Sequence, residues 1–179
     1  MVAGLVSFLT GIAGMMGAPV DDFQNNTHDH SAHSHEDLQN SEQNFTLGSA
    51  HEHAQFFLNV NGSEEEFADR KYQLQSRYVH LENFKPHIVH KHSENVTWIY
   101  FLETINVEAG EKCVKFKGNE QCGNVSITLN GEEVDSLDQE IQQGDKLAII
   151  TPPNTTIAEK YREKELPDDY TKEVEGRTI

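Results

Sequence analysis

Histidine is the residue that stands out for chemistry in this sequence. All ten lie between positions 28 and 92, and the second half of the chain has none. Four form the run His28-Asp-His30-Ser-Ala-His33-Ser-His35. The other six are His51, His53, His80, His87, His90 and His92. Neutral imidazole is a preferred protein ligand for Zn²⁺ and Cu²⁺, and it offers its lone pair near neutral pH. His51 and His53, and likewise His90 and His92, have i, i+2 spacing. On an extended strand that spacing puts both rings on one face. These six residues are therefore the candidate metal ligands, with Glu52 and Glu82 as carboxylates that could orient imidazoles. Three His with a water would make an open site and four a closed one. The domain has no Met, which counts against a Cu(I) site, so Cu²⁺ or Zn²⁺ is the expected cofactor.

Some element must bring those rings together. Residues 51–60 alternate as a half-buried strand, Asn61-Gly62 marks a turn, and residues 71–80 read as the returning strand of a hairpin. That pairing sets His51 and His53 beside His80, and the short connection through Pro86 returns His87, His90 and His92 to the same end. The face is less certain from the pattern. Leu58 and Val60 mark the core side, so His51 and His53 point away from it, whereas alternation with Tyr72 and Leu74 puts His80 on the core side. A bulge, or a strand that frays before His80, would reconcile the two.

Further along, Ser93-Glu94-Asn95 offers helix caps, and Trp98, Phe101, Leu102 and Ile105 fall at helical spacing over 96–106. Strand-like segments follow at 112–117, 125–129 and 146–150, with a second Asn-Gly turn at Asn130-Gly131. The expected fold class is α+β: a β-grasp-like mixed sheet packed on one helix. The domain spans 51–152, between a disordered His-rich linker at 21–50 and a charged tail at 153–179, transiently helical around Ile157–Glu165.

Residues 1–20 carry no charged side chain and read as a signal peptide or membrane anchor. Cys113 and Cys122 form the even pair expected of an exported chain, where they would be disulfide-bonded. Six Asn-x-Ser/Thr sequons are compatible with an exterior location. The formal net charge of −16 excludes nucleic acid as a partner, since phosphate binding needs a basic surface. No nucleotide-binding loop or nucleophile-elbow motif is present, so a non-catalytic role is expected.

Ser126-Ile-Thr-Leu-Asn-Gly-Glu-Glu-Val134 followed by Gly144-Asp-Lys-Leu-Ala-Ile-Ile150 resembles the closing half of ubiquitin-like sulfur-carrier domains. Those carriers end in Gly-Gly and this chain in Thr178-Ile179, so carrier chemistry is not expected. The stretch from His51 to Ile150, with His51-Glu-His53, Val79-His80-Leu-Glu82, His90-Lys-His92, Cys113, Cys122 and Gly144-Asp145, resembles a poorly characterised family of archaeal exported His-rich domains. The resemblance implies an extracytoplasmic location. Members are sometimes labelled protein disulfide isomerases, which implies a thiol–disulfide activity as the alternative to metal binding. An envelope interaction domain with an unknown protein partner is the third expectation.

Overall fold

The computed structural model describes Glu42, residues 44–110 and residues 112–171. The 1–20 segment and the linker histidines lie outside these residues. Among the described residues no helix is long and apolar enough to cross a membrane.

Strand β1 (Glu52–Val60) is the spine. Its aromatic and branched residues suit a pleated backbone, and every residue from His53 to Asn59 is buried. The sheet grows on both sides of it. β2 (Ser63–Glu64) pairs back on β1 across Asn61-Gly62. Both turn residues have positive φ, 54° and 82°, which Asn and Gly tolerate. β3 (Val79–Leu81) and β4 (Ile88–Lys91) lie to one side, all antiparallel. β10 (Lys146–Thr151) runs parallel to β1 on the other. Beyond it come β8 (Ser126–Leu129) and β9 (Glu132–Glu133), joined by Asn130-Gly131. The order is β3-β4-β1-β10-β8-β9. A separate three-stranded sheet contains β5 (Val107–Gly110), β6 (Cys113–Phe116) and β7 (Asn119–Cys122). A disulfide joins Cys113 to Cys122, which are register partners on β6 and β7.

Helix α1 (Trp98–Thr104) covers one face of the main sheet. Trp98, Phe101, Leu102 and Ile105 pack with Ala54, Phe56, Leu58, Leu147 and Ile149. Burying each large side chain contributes roughly 1.5–3 kcal/mol. The helix starts at Thr97, whose Oγ1 accepts the Tyr100 N–H at 3.4 Å, and not at the expected Ser93–Asn95 caps. Ser93 is instead buried, and its hydroxyl accepts the Thr46 N–H at 2.9 Å.

Three expectations are corrected. The antiparallel neighbour of β1 is β4, in place of residues 71–80: His53 pairs with His90 and Ala54 with Val89. Residues Arg70–Tyr72 form a 3₁₀ turn, and Leu74 turns out to solvent at φ 55°. The four residues of β4 are all buried and compete better for the central position. Second, the sheet carries a helix on its other face too: the helical stretch of the charged tail is a docked helix, α2 (Thr155–Glu163), capped by Asn154. Third, β1 is buried on both faces, because Tyr161 of α2 stacks on Phe57 with ring centroids 4.5 Å apart and planes 4° from parallel. The few apolar residues of this helix, Ile157, Ala158 and Tyr161, gather on Phe57, Ala148 and Ile150.

Candidate metal centre

Strand register assembles the site. Residues directly opposite in antiparallel strands share a face. His53 opposes His90, and His90 opposes His80, so three strands present a row of three rings. His51 and His92 stand two residues from His53 and His90, on the same side. The backbone N–H of His92 donates to Tyr78 O at 2.7 Å, which holds His92 alongside the β3 entry. Because Val79 and Leu81 are buried in the main core, His80 between them points to the opposite face, the one shared with Phe57. The irregular chain before Val79 breaks the alternation from Tyr72 and Leu74, so the fraying alternative is the one adopted.

Five imidazoles therefore form one cluster. The His90 ring borders each of the other four, with centroids 4.8 Å from His51, 4.5 Å from His53, 5.5 Å from His80 and 4.2 Å from His92. Two triads have ligand atoms within 4.8 Å of one another: His51, His53 and His90, and His80, His90 and His92. A tetrahedral ion with metal–nitrogen bonds of about 2.0–2.1 Å spaces its ligands roughly 3.3 Å apart, so small ring movements would close either triad on an ion.

The rings are held by the scaffold. His80 Nδ1 lies 2.8 Å from Ser76 O. As the carbonyl can only accept, this nitrogen carries the hydrogen and Nε2 keeps its lone pair. The backbone N–H of His53 donates to Gln143 Oε1 at 2.8 Å, and the Tyr170 ring meets the His53 ring edge-on at 4.9 Å. Gln143 Nε2 also donates to Tyr170 O at 2.8 Å, so one side chain fixes both ends of that contact. Glu82 Oε1 lies 3.0 Å from His90 Nδ1, and its other oxygen lies 3.7 Å from His80 Nε2. The first contact is off the hydrogen-bond direction, so His90 Nδ1 is buried without a hydrogen-bond partner, as is His53 Nδ1. Buried polar atoms are ordinarily satisfied. Among the described residues five buried side-chain atoms lack a partner, and two of them are these ring nitrogens of the His cluster, the others being Gln55 Oε1, Asn59 Oδ1 and Trp98 Nε1.

The environment favours the neutral form of three of the rings, His53, His90 and His92. Burial comes first and neighbouring imidazoles second in lowering His53 and His92 to about 4 and His90 to about 2. Neutral rings are the ligating form.

His87 stands apart from the other five. Its Nε2 is 2.9 Å from Glu64 Oε1, its Nδ1 is 3.2 Å from Phe56 O, and its ring packs on Phe57. Burial, then Lys164, lowers its pKa against the pull of Glu64. Glu64 also accepts from Lys160, Tyr161 and Lys164, so His87 belongs to the clasp that holds α2.

Glu52 also departs from expectation. It lies on the core side of β1 and pairs with Lys91 at 2.7 Å, away from the rings. Lys91 is 1% exposed and also donates to Glu140 Oε1 and Ile141 O. Of the two carboxylates considered as ring partners, only Glu82 reaches the cluster. Gln143 and Tyr170 carried no signal in the sequence, because they arrive from 90 or more residues away.

Set against known proteins, the chain matches no family model, no curated protein and no solved structure.

Proposed function

We propose that this protein is a non-catalytic metal-binding module that holds Cu²⁺ or Zn²⁺ outside the cytoplasm. The observation that carries the reading is the convergence of His51, His53, His80, His90 and His92 from three strand segments onto one sheet face. An all-imidazole donor set, with Glu82 beside it and neither thiolate nor thioether, suits these borderline ions. The Cys113–Cys122 disulfide supports an oxidising compartment. Tethering through residues 1–20 is part of the same proposal. So is a β-grasp-like fold, which the parallel central pair β1–β10 flanked by antiparallel neighbours supports.

The test is metal retention. The full chain, with His28, His30, His33 and His35 replaced by Asn, is loaded with Cu²⁺ or Zn²⁺ and desalted. Retained metal that disappears when His51, His53, His80, His90 and His92 are also replaced supports the proposal. Retention unchanged by those replacements removes it.

A second reading, a thiol–disulfide exchange protein, rests on the disulfide lying in a strand pair with Cys122 exposed. It predicts turnover of a reduced, scrambled substrate.

A further inference from the structure

The ligand set is larger than one ion can use. Five imidazoles and the Glu82 carboxylate provide six donors, and a tetrahedral ion takes four at most. His53 and His90 are buried with ring nitrogens that lack a hydrogen-bond partner, which is costly for polar groups unless a ligand takes them up. The geometry points to two divalent ions on this face, one held by His51, His53 and His90, the other by His80, His92 and Glu82. This inference rests on the metal-binding reading above.

The division follows from the contacts. His90 Nε2 lies 2.7 Å from His51 Nε2 in a hydrogen bond, so these two nitrogens meet at one point beside His53, where an ion would take the place of the shared hydrogen. His80 has its Nδ1 tied to Ser76 O, leaving Nε2 as its ligand atom, and that atom is 3.7 Å from Glu82 Oε2. The His92 ring lies 5.1 Å from the His80 ring. His90 belongs to both triads. When it ligates the first ion through Nε2, Glu82, which lies between His90 Nδ1 and His80, takes its place at the second. Each ion then has three protein donors, which leaves a fourth tetrahedral position for water. The carboxylate also supplies the negative charge that offsets repulsion between two nearby dications. The second ion, having a donor fewer among the rings and a charged neighbour, binds more weakly.

The experiment uses the full chain with the four linker histidines replaced by Asn, titrated with Cu²⁺ alone. Metal per chain is measured after desalting, and electron paramagnetic resonance reports whether the ions are neighbours. Expected are two Cu²⁺ per chain in two affinity classes and a magnetically coupled spectrum. Glu82→Gln, a near-isosteric change at a partly exposed site, reduces this to one ion with an uncoupled spectrum. One ion per chain before that substitution overturns the two-ion inference and leaves the metal-binding reading standing. Two uncoupled ions, or two ions retained in Glu82→Gln, also overturn it. No retained metal removes both.

Discussion

His90 Nε2 lies 2.7 Å from His51 Nε2, although the two residues are 39 positions apart, one on β4 and the other just before β1. Two neutral ring nitrogens can approach so closely only when one donates to the other. An ion between them would replace that hydrogen bond. His90 is also the one ring that touches all four others. Substitution of groups that merely orient a ligand costs about 10–100-fold in metal affinity. His90→Ala removes a ligand and is expected to exceed that range. His87→Ala should leave affinity unchanged, since His87 pairs with Glu64. Competition titration with a chelator measures both.

Acid should weaken the metal-free domain before it affects most carboxylates. The folded-state pKa values of His53, His90 and His92 lie below the ordinary value near 6.5. The unfolded chain therefore takes up more protons than the folded one as pH drops below 6.5. The contribution of these residues is fully present above that pH and is lost as pH falls toward about 4. In chelator-treated protein, urea midpoints should fall between pH 6.5 and 5. The triple variant with Gln at 53, 90 and 92 should show a flatter profile in that window. Equal slopes would mean that the rings are not buried in this way.

The tail helix is expected to contribute substantially to stability. Tyr161 is 1% exposed and stacks on Phe57. Its hydroxyl meets Asn59 at 3.2 Å and Glu64 at 3.1 Å. Truncating a buried aromatic costs about 3–5 kcal/mol, so Tyr161→Ala should lower the urea midpoint accordingly. A change below about 1 kcal/mol would mean that α2 does not dock on the sheet in solution.

Lys91 is expected to be sensitive for a different reason. It is buried against Glu52, Glu140 and the Ile141 carbonyl. Breaking a buried pair by removing one partner costs about 3–5 kcal/mol. Glu52 and Glu140 keep side-chain exposures of 23% and 34%, so water can solvate them once the lysine is gone. Lys91→Met should therefore cost less, about 1–3 kcal/mol. Thermal unfolding of Lys91→Met and of the Glu52→Gln, Glu140→Gln pair checks this.

Much of the site was legible because strand periodicity is local. The two His-x-His pairs announce shared faces, and Asn61-Gly62 and Asn130-Gly131 do form the turns they signal. The location of α1 and of β6, β8 and β10 followed from the apolar pattern. What could not be read was long-range choice. The alternation of Tyr72, Leu74 and Tyr78 imitates a strand, but Leu74 bends out to solvent and β4 takes the place beside β1. The helical stretch of the tail is visible in its sequence, but its docking is not, because Tyr161 is its one buried residue and its partner Phe57 lies about a hundred positions away.

The disulfide separates the two functional readings. Cys113 and Cys122 sit in the three-stranded sheet, while all five clustered rings belong to or adjoin the main sheet. Closing a loop of this size contributes about 2–3 kcal/mol in the loop-entropy treatment. Mild reduction should lower stability by that order and leave metal stoichiometry unchanged. Metal retention that vanished on reduction would tie the cysteines to the site.

The most direct measurement is an anomalous difference map from crystals of the Zn²⁺-loaded protein. The account predicts a peak on the sheet face formed by His51, His53, His80, His90 and His92, about 2.0–2.1 Å from a ring nitrogen of His90. A map with no peak on that face, or with zinc only at surface carboxylates, would contradict it.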